Sequence, residues 1–179
     1  MTDPKRRPDP AVDAARLTVG QGIVLRHYGV PERRMLAGAL AKIARAKRLR
    51  LLIAADWRLA AEVGADGVHL PQGLLMSGRL APLLGWARRR GAIVTCACHD
   101  RPALAVASRL GMAAGLVSPV FPTRSHPGAK TLGLIGLARM ARSAPISVIA
   151  LGGMTDERAR HAKRRGSGGW ASANPPLSA

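Results

Sequence analysis

The sequence predicts an α/β protein of the (β/α)8 barrel class. Roughly seven short apolar segments alternate with segments of helical periodicity along the chain, an alternation typical of a parallel sheet. The count is close to the eight units of a barrel. No glycine-rich dinucleotide turn follows the first strand, which disfavours the competing doubly wound sheet. We therefore expect one domain over residues 1–179, with incomplete first and last strands.

The predicted strands are short and carry few charges. They comprise residues 22–28, 51–54, 67–70, 92–98, 113–120 and 146–151, with a possible last strand at 168–173. The predicted helices carry apolar stripes and comprise residues 11–17, 31–47, 57–63, 77–90, 101–110, 134–142 and 156–165. Three of them end at Gly64, Gly91 and Gly111, because glycine adopts the left-handed conformation that closes a helix.

Composition limits the class of protein. Hydrophobic residues make up 47% of the chain, but no apolar run is long enough to span a bilayer, so we expect no membrane association. Two cysteines do not make a disulfide framework, and the expected compartment is the reducing cytoplasm. The net charge of +18 favours non-specific contact with nucleic acid. With 3% aromatic residues and no recognisable binding module, however, we expect no specific nucleic-acid partner.

Polar residues follow the predicted strands at their C-terminal ends, where α/β proteins bind ligands. They are Arg26 and Tyr28, Asp56, His69 and Gln72, His99, the loop 118–130, and Gly152 with Gly153. Hydroxyl, imidazole and ammonium groups in the loop 118–130 suit an anionic ligand. Paired glycines between a strand and a helix allow backbone N–H groups to approach a phosphate. The sequence therefore predicts an anion site at this edge of the sheet.

Three motifs resemble one family. GADGVHLPQ (residues 64–72), SPVFPTRS (118–125) and ALGGM (150–154) are similar in order and spacing to thiamine phosphate synthases and their thiazole tautomerase relatives. The resemblance runs in register from Arg26 to Gly153. It implies a (β/α)8 barrel and two phosphorylated small-molecule substrates. It also implies a magnesium-assisted transfer that joins hydroxymethylpyrimidine diphosphate to thiazole phosphate and releases diphosphate.

The resemblance implies a complete site for the thiazole phosphate. Thr123 and Ser125 match the family's paired hydroxyl positions, and Gly152 and Gly153 match its backbone cradle. His99 follows the fourth strand inside the predicted mouth, so we expect it to contact substrate.

The positively charged residues that the resemblance places at the diphosphate depart from the family pattern. Arg26 matches the arginine of a Q-x-R-x-K pattern whose glutamine and lysine are replaced by Val24 and Tyr28. The lysine that usually follows the paired hydroxyls is His126, and Lys130 follows four residues later. We expect Arg26, His126 and Lys130 to be the catalytic cations.

The resemblance assigns Mg²⁺ to a single carboxylate. Asp56 matches the magnesium-binding aspartate if one residue is missing from the short helix, whereas the second carboxylate position falls at Gly73 or Leu74. A departing diphosphate needs its charge neutralised by metal or cations, so this loss weakens the metal site and bears on activity. Two hypotheses remain. A synthase ranks first, because residues 119–123 match the synthases' PxFPT; the alternative is a thiazole-phosphate-binding or tautomerase relative without transferase activity.

Other residues have structural explanations. Cys96 and Cys98 lie on one face of a strand and are expected to be buried hydrophobic residues rather than metal ligands. His69 is at least as well explained as a core histidine as a catalytic one. Residues 1–4 resemble the tail of the family's first strand, and no closing helix follows residues 168–173. An unclosed barrel exposes strand edges, so a homodimer is expected.

Overall fold

The structure is a computed structural model that describes residues 1–123 and 128–173. The chain divides into two compact units. The first contains Met1–His69 and Ala81–Ile93, and the second contains Leu70–Leu80 and Val94–Ser172. The single domain expected from the sequence stays a prediction.

Strands and helices alternate along the described residues, which confirms the α/β class. The strands are β1 (Gly22–Leu25), β2 (Arg50–Ala54), β3 (Gly67–Leu70), β4 (Ile93–Cys98), β5 (Ala114–Val117), β6 (Ser147–Leu151) and β7 (Gly169–Ala171). The helices are α1 (Pro10–Ala15), α2 (Arg33–Lys47), α3 (Trp57–Val63), α4 (Gln72–Met76), α5 (Ala81–Arg90), α6 (Arg101–Arg109), α7 (Gly133–Ser143) and α8 (Asp156–Arg164). Seven predicted strands are thus present within residues 1–123 and 128–173, and a closed eight-stranded barrel stays a prediction.

The first unit is built on a parallel arrangement of β1, β2 and β3. Leu25 pairs with Ile53, and Ile53 pairs with Val68; all three side chains are buried. The chain before α1 lies along β1, because Thr2 N–H donates to Val24 O (2.9 Å) and Thr2 Oγ1 accepts from Arg26 N–H (2.8 Å). Thr2 therefore lies beside the first observed strand, and the resemblance of residues 1–4 to a strand tail stays a prediction.

The second unit is built on β4 to β7, again with parallel pairing. Cys96 pairs with Gly115, Leu116 with Ile149, and Ala150 with Trp170. Every residue of β5 is buried, as an apolar strand in the middle of a parallel sheet requires. Both cysteines are free and buried, which confirms their expected role as small core residues.

Three predicted elements differ most from the observed ones, and each difference has an identifiable cause. The strand predicted at 22–28 ends at Leu25, because the N–H of Arg26 binds the Thr2 side chain. The helix predicted at 77–90 begins only at Ala81, as α5, because Gly78 has a left-handed φ of 72°; a separate short helix, α4, precedes it. The strand predicted at 113–120 ends at Val117, shortly before Pro119, which has no N–H for a ladder.

Many basic residues occupy the last turns of helices. They are Arg45 and Lys47 in α2, Arg88 to Arg90 in α5, Arg109 in α6, Arg142 in α7, and His161, Lys163 and Arg164 in α8. Cations at a helix C-terminus complement the negative end of the helix dipole. Part of the +18 charge therefore has a structural explanation. Among the described residues, no helix combines the length and apolar character needed to cross a membrane.

Gly67 offers a test of the packing in the first unit. A Cβ atom on Gly67 would lie 1.8 Å from Ile93 O, a backbone contact that cannot relax by side-chain rotation. We expect Gly67→Ala to lower the free energy of unfolding by about 2–4 kcal/mol in urea titrations. Gly73→Ala is the control, because its Cβ would meet nothing within 4 Å; it should be neutral or stabilising by up to about 1 kcal/mol. Equal stability of the two variants would contradict this packing.

Candidate functional site

The turn after β6 packs tightly on the segment that follows β5. Val120 N–H donates to Leu151 O (2.9 Å), and Phe121 N–H donates to Gly152 O (3.1 Å). A Cβ atom on Gly152 would lie 2.9 Å from Pro119 Cα, and one on Gly153 would lie 2.4 Å from Pro122 O. Both glycines also have a positive φ, 95° and 61°. Side chains are therefore excluded here by space and by backbone conformation.

The orientation of this turn follows from its carbonyl groups. In a trans peptide the N–H points opposite to the C=O of the preceding residue. Gly152 O faces Phe121 N–H and Gly153 O accepts from Arg158 Nη1, so the amides of Gly153 and Met154 point away from those partners. The Arg158 guanidinium also lies over the Phe121 ring, 4.7 Å from its centroid. Two directed amides suit an oxyanion, whereas the Arg158 guanidinium lies on the carbonyl side of the turn.

The loop 118–133 is closed at both ends. Leu132 N–H donates to Pro119 O (3.0 Å), and Gly133 N–H donates to Val120 O (2.9 Å), so the chain returns to its starting point before α7 begins. Thr123 is half-buried and Lys130 is exposed within this loop. Ser125 and His126 lie outside the described residues, and their expected roles stay predictions.

His99 belongs to a small hydrogen-bonded group in the second unit. The ring Nδ1 of His99 lies 2.9 Å from Ser118 O, and the backbone N–H of His99 donates to Gln72 Oε1. Gln72 Nε2 donates in turn to Asp100 Oδ2 (2.8 Å), while Asp100 Oδ1 caps α6. Because a carbonyl only accepts, Nδ1 carries the proton in this contact, and Nε2 of the neutral ring is an acceptor. The structure thus brings together His99, Gln72 and Ser118 from the ends of three strands.

In the first unit, Arg26 is held by the chain that precedes α1. Its Nε donates to Thr2 O (2.9 Å), and its Nη2 lies 3.7 Å from Asp3 Oδ2. The side chain keeps 28% of its surface exposed, so the guanidinium is positioned but still reachable. Its role as a catalytic cation stays a prediction.

His69 lies in the core of the first unit. It is 3% exposed, and burial, followed by the positive charge of Arg26, lowers its pKa to about 4. The imidazole is therefore neutral at pH 7. This arrangement favours the interpretation of His69 as a core histidine.

Asp56 is engaged by the protein through both oxygens. Oδ1 accepts from Leu59 N–H (2.9 Å) as the N-cap of α3, and Oδ2 lies 3.5 Å from Arg33 Nη1. Within residues 1–123 and 128–173, no group of three or more His, Cys, Asp or Glu side chains could hold a metal ion. The described residues therefore do not fit a resident magnesium site, and the expected role of Asp56 as a metal ligand stays a prediction.

Sequence reasoning missed Arg33 and Arg158. Both stand in the first turn of a helix, where a cation opposes the helix dipole. That placement alone could not have identified them, because Arg34, Arg58 and Arg101 share it. Neither residue stood out among 28 lysines and arginines, because the contacts that fix them come from distant segments.

Comparisons with known proteins agree on one family. The family model described as thiamine monophosphate synthase matches residues 4–174. A putative thiamine-phosphate synthase 2 of Aquifex aeolicus is 28% identical over 176 residues, which cover 96% of this chain and 92% of the relative. A putative thiamine-phosphate synthase of Geobacter sulfurreducens is 31% identical over 152 residues, which cover 83% of this chain and 70% of the relative.

A solved structure supports the fold. The thiamine phosphate pyrophosphorylase from Pyrococcus furiosus superposes with a TM-score of 0.78 at 23% identity, covering 96% of this chain and 83% of that one. The α/β architecture described above is therefore similar to that of a pyrophosphorylase structure over nearly its whole length.

His69 predicts a pH dependence of stability. Its folded-state pKa of about 4 lies below the ordinary 6.5, so the unfolded chain takes up the proton first as the pH falls. Stability contributed by the neutral ring is complete above pH 6.5 and is lost progressively down to about pH 4, by about 3 kcal/mol in total. Urea titrations across this range should show that loss, and His69→Gln should reduce it. An equal slope in the variant would contradict the assignment to His69.

Gly153 tests the turn after β6. Gly153→Ala places a methyl group against Pro122 O and should displace the loop, lowering the melting temperature and reducing affinity for thiazole phosphate by about tenfold or more. Gly111→Ala is a matched control, because its φ of 70° is similar but its Cβ would meet nothing within 4 Å. Calorimetric titration of a folded Gly153→Ala with unchanged affinity would remove Gly153 from the site.

Proposed function

Because the chain belongs to the thiamine monophosphate synthase family, we propose that it joins hydroxymethylpyrimidine diphosphate to thiazole phosphate with release of diphosphate. The family acts in thiamine biosynthesis as a transferase on phosphorylated small molecules. The observation that carries the proposal is the packing of two family motifs on each other, with SPVF (118–121) hydrogen-bonded to the ALGG turn (150–153). A transferase that must hold a phosphorylated acceptor needs such a fixed anion site.

In the proposed reaction, the bond between the pyrimidine methylene carbon and the diphosphate oxygen breaks. The thiazole nitrogen supplies the electron pair for the new carbon–nitrogen bond, and diphosphate leaves with the electrons of the old one. The amides of Gly153 and Met154, with Thr123, Ser125 and Lys130, would hold the thiazole phosphate. Positive groups are required where the diphosphate charge develops, and in the first unit Arg26 is proposed for that role.

Mg²⁺ is proposed to enter as the counterion of the diphosphate substrate. Magnesium retains several waters and is commonly bound through one or two carboxylates plus substrate phosphates. Asp56 would be its one protein ligand, through Oδ2, since Oδ1 caps α3. Weak magnesium affinity in the absence of diphosphate is the expected consequence.

The remaining expectations are proposals. We propose a closed (β/α)8 barrel, a cytoplasmic location and a homodimer. Nucleic-acid binding is proposed to be weak, independent of sequence and lost at moderate salt, because it would rest on net charge alone. His126 is proposed as a second cation of the loop 118–130.

Separate titrations test the proposed function. The chain is titrated calorimetrically with thiazole phosphate and, in a second experiment, with pyrophosphate plus Mg²⁺. A synthase binds both ligands. Binding of thiazole phosphate without pyrophosphate would instead favour the non-transferase or tautomerase alternative, in which the diphosphate side has been lost.

Asp56→Asn separates a metal ligand from a helix cap. Asparagine caps a helix almost as well as aspartate but lacks the charge that binds magnesium. We expect the variant to lose most synthase activity, at least about tenfold, and to keep its melting temperature and its affinity for thiazole phosphate. Asp9→Asn is the control, because Asp9 caps α1 in the same way through Ala11 N–H. Normal turnover by Asp56→Asn would remove Asp56 from the reaction.

A further inference from the structure

Arg33 is a partly buried cation at the C-terminal end of β2. Its side chain is 16% exposed, and its Nη2 donates to Ala54 O, the last residue of the strand. Its guanidinium also lies over the Tyr28 ring, 5.6 Å from the centroid. These contacts fix the guanidinium at the strand end, beside the turn that carries Asp56.

The charge of Arg33 is only loosely paired by the protein. The nearest carboxylate oxygen, Asp56 Oδ2, is 3.5 Å away, whereas Arg34 lies 2.9 Å from Glu62 and Arg50 lies 2.7 Å from Asp66. A guanidinium carries five N–H groups, and Nε of Arg33 is buried without a hydrogen-bond partner among the described residues. Buried donors without a hydrogen-bond partner are uncommon in proteins, so this one needs a specific explanation.

The backbone beside Arg33 turns sharply at Ala55. Ala55 has a left-handed φ of 58°, rare for a residue with a side chain, and its N–H donates to His69 O (2.9 Å). This conformation turns the chain sharply between Ala54, which accepts from Arg33, and Asp56, which caps α3. Such local strain persists where the surrounding structure imposes it, and it is concentrated at functional sites.

Two features of this site favour an anion. Arg33 is the first residue of α2, a helix of 15 residues, so the positive end of the helix dipole adds to the guanidinium charge. A second cation stands at the same edge of this unit's sheet. Arg26 directly follows Leu25, which pairs with Ile53, and Arg33 binds the carbonyl of the next residue, Ala54. The charges of Arg26 and Arg33 both oppose the rise in the pKa of Tyr28 that burial causes. Two guanidinium groups at one sheet edge suit a ligand with more than one negatively charged group.

We propose that Arg33 binds the diphosphate of the pyrimidine substrate and stabilises its departure, with a fork of N–H groups matched to phosphate oxygens. The inference rests on the proposed function and adds to it a residue in the first unit. It assigns part of the charge neutralisation to a fixed side chain, so diphosphate binding should persist when Mg²⁺ is removed.

The competing explanation is a structural brace. In that case Arg33 would only tie the start of α2 to the end of β2 through Ala54 O. Loss of the brace would lower the melting temperature and would weaken the binding of all ligands alike. If Arg33 instead contacts the diphosphate, its replacement should weaken the binding of pyrophosphate alone.

The test is calorimetric titration with pyrophosphate, with and without Mg²⁺, on three variants of the full chain. Arg33→Gln removes the charge and should weaken pyrophosphate binding by about ten- to one hundredfold under both conditions. Arg34→Gln is the matched control, since the next residue makes the same change in net charge on a side chain that is 78% exposed; its affinity should change by no more than about twofold. Arg33→Lys keeps the positive charge but loses the fork of N–H groups, so its affinity for pyrophosphate should lie between those of Arg33→Gln and Arg34→Gln.

Each result decides the proposal. The proposal is overturned if Arg33→Gln and Arg34→Gln lose affinity for pyrophosphate equally, or if folded Arg33→Gln keeps its affinity. If Arg33→Gln does not fold, wild-type affinity in Arg33→Lys overturns it. Absence of pyrophosphate binding by the wild-type chain would also overturn it. Titration with thiazole phosphate separates the two claims. If pyrophosphate binding depends on Arg33 but no product forms, the transferase function is refuted and the diphosphate site stands. If the wild-type chain forms product and Arg33→Gln binds pyrophosphate and turns over as well, the diphosphate site is refuted and the transferase function stands.

Discussion

The close approach of the turn after β6 to the segment after β5 is the constraint on which the second unit's site depends. Gly153 approaches Pro122 so closely that no side chain fits, and this contact directs both glycine carbonyls toward protein donors. The amides that follow are consequently turned the other way, while Arg158 holds the carbonyl of Gly153. One packing contact therefore sets the orientation of the polar groups available to an anion.

The positive charge of the chain serves two different purposes. Cations in the last turns of helices complement the helix dipoles and contribute to stability. Arg33 and Arg158 stand in first turns, where the dipole opposes them, and each is held there by a backbone carbonyl and an aromatic ring. Arg34, Arg58 and Arg101 also stand in first turns, so what distinguishes Arg33 and Arg158 is this pair of contacts rather than their place in the helix.

The sequence predicted the strands well, because short apolar segments between helical ones have few alternatives in an α/β protein. It also predicted Gly152 and Gly153 as a special turn, since paired glycines have a local signature. The sequence did not predict the neutral state of His69 or the loose pairing of Arg33 with Asp56. Both depend on segments that are distant in the chain, as does the hydrogen bond between Thr2 and Arg26 that ends β1 early.

The most direct test of the central claim is a single-turnover reaction with the chain in excess. Hydroxymethylpyrimidine diphosphate and thiazole phosphate are mixed with the folded chain and Mg²⁺, and the products are quantified by mass spectrometry. Because one bond forms for each bond broken, the account predicts thiamine phosphate and pyrophosphate in equal amounts. A folded chain that binds both substrates and yields neither product would contradict it.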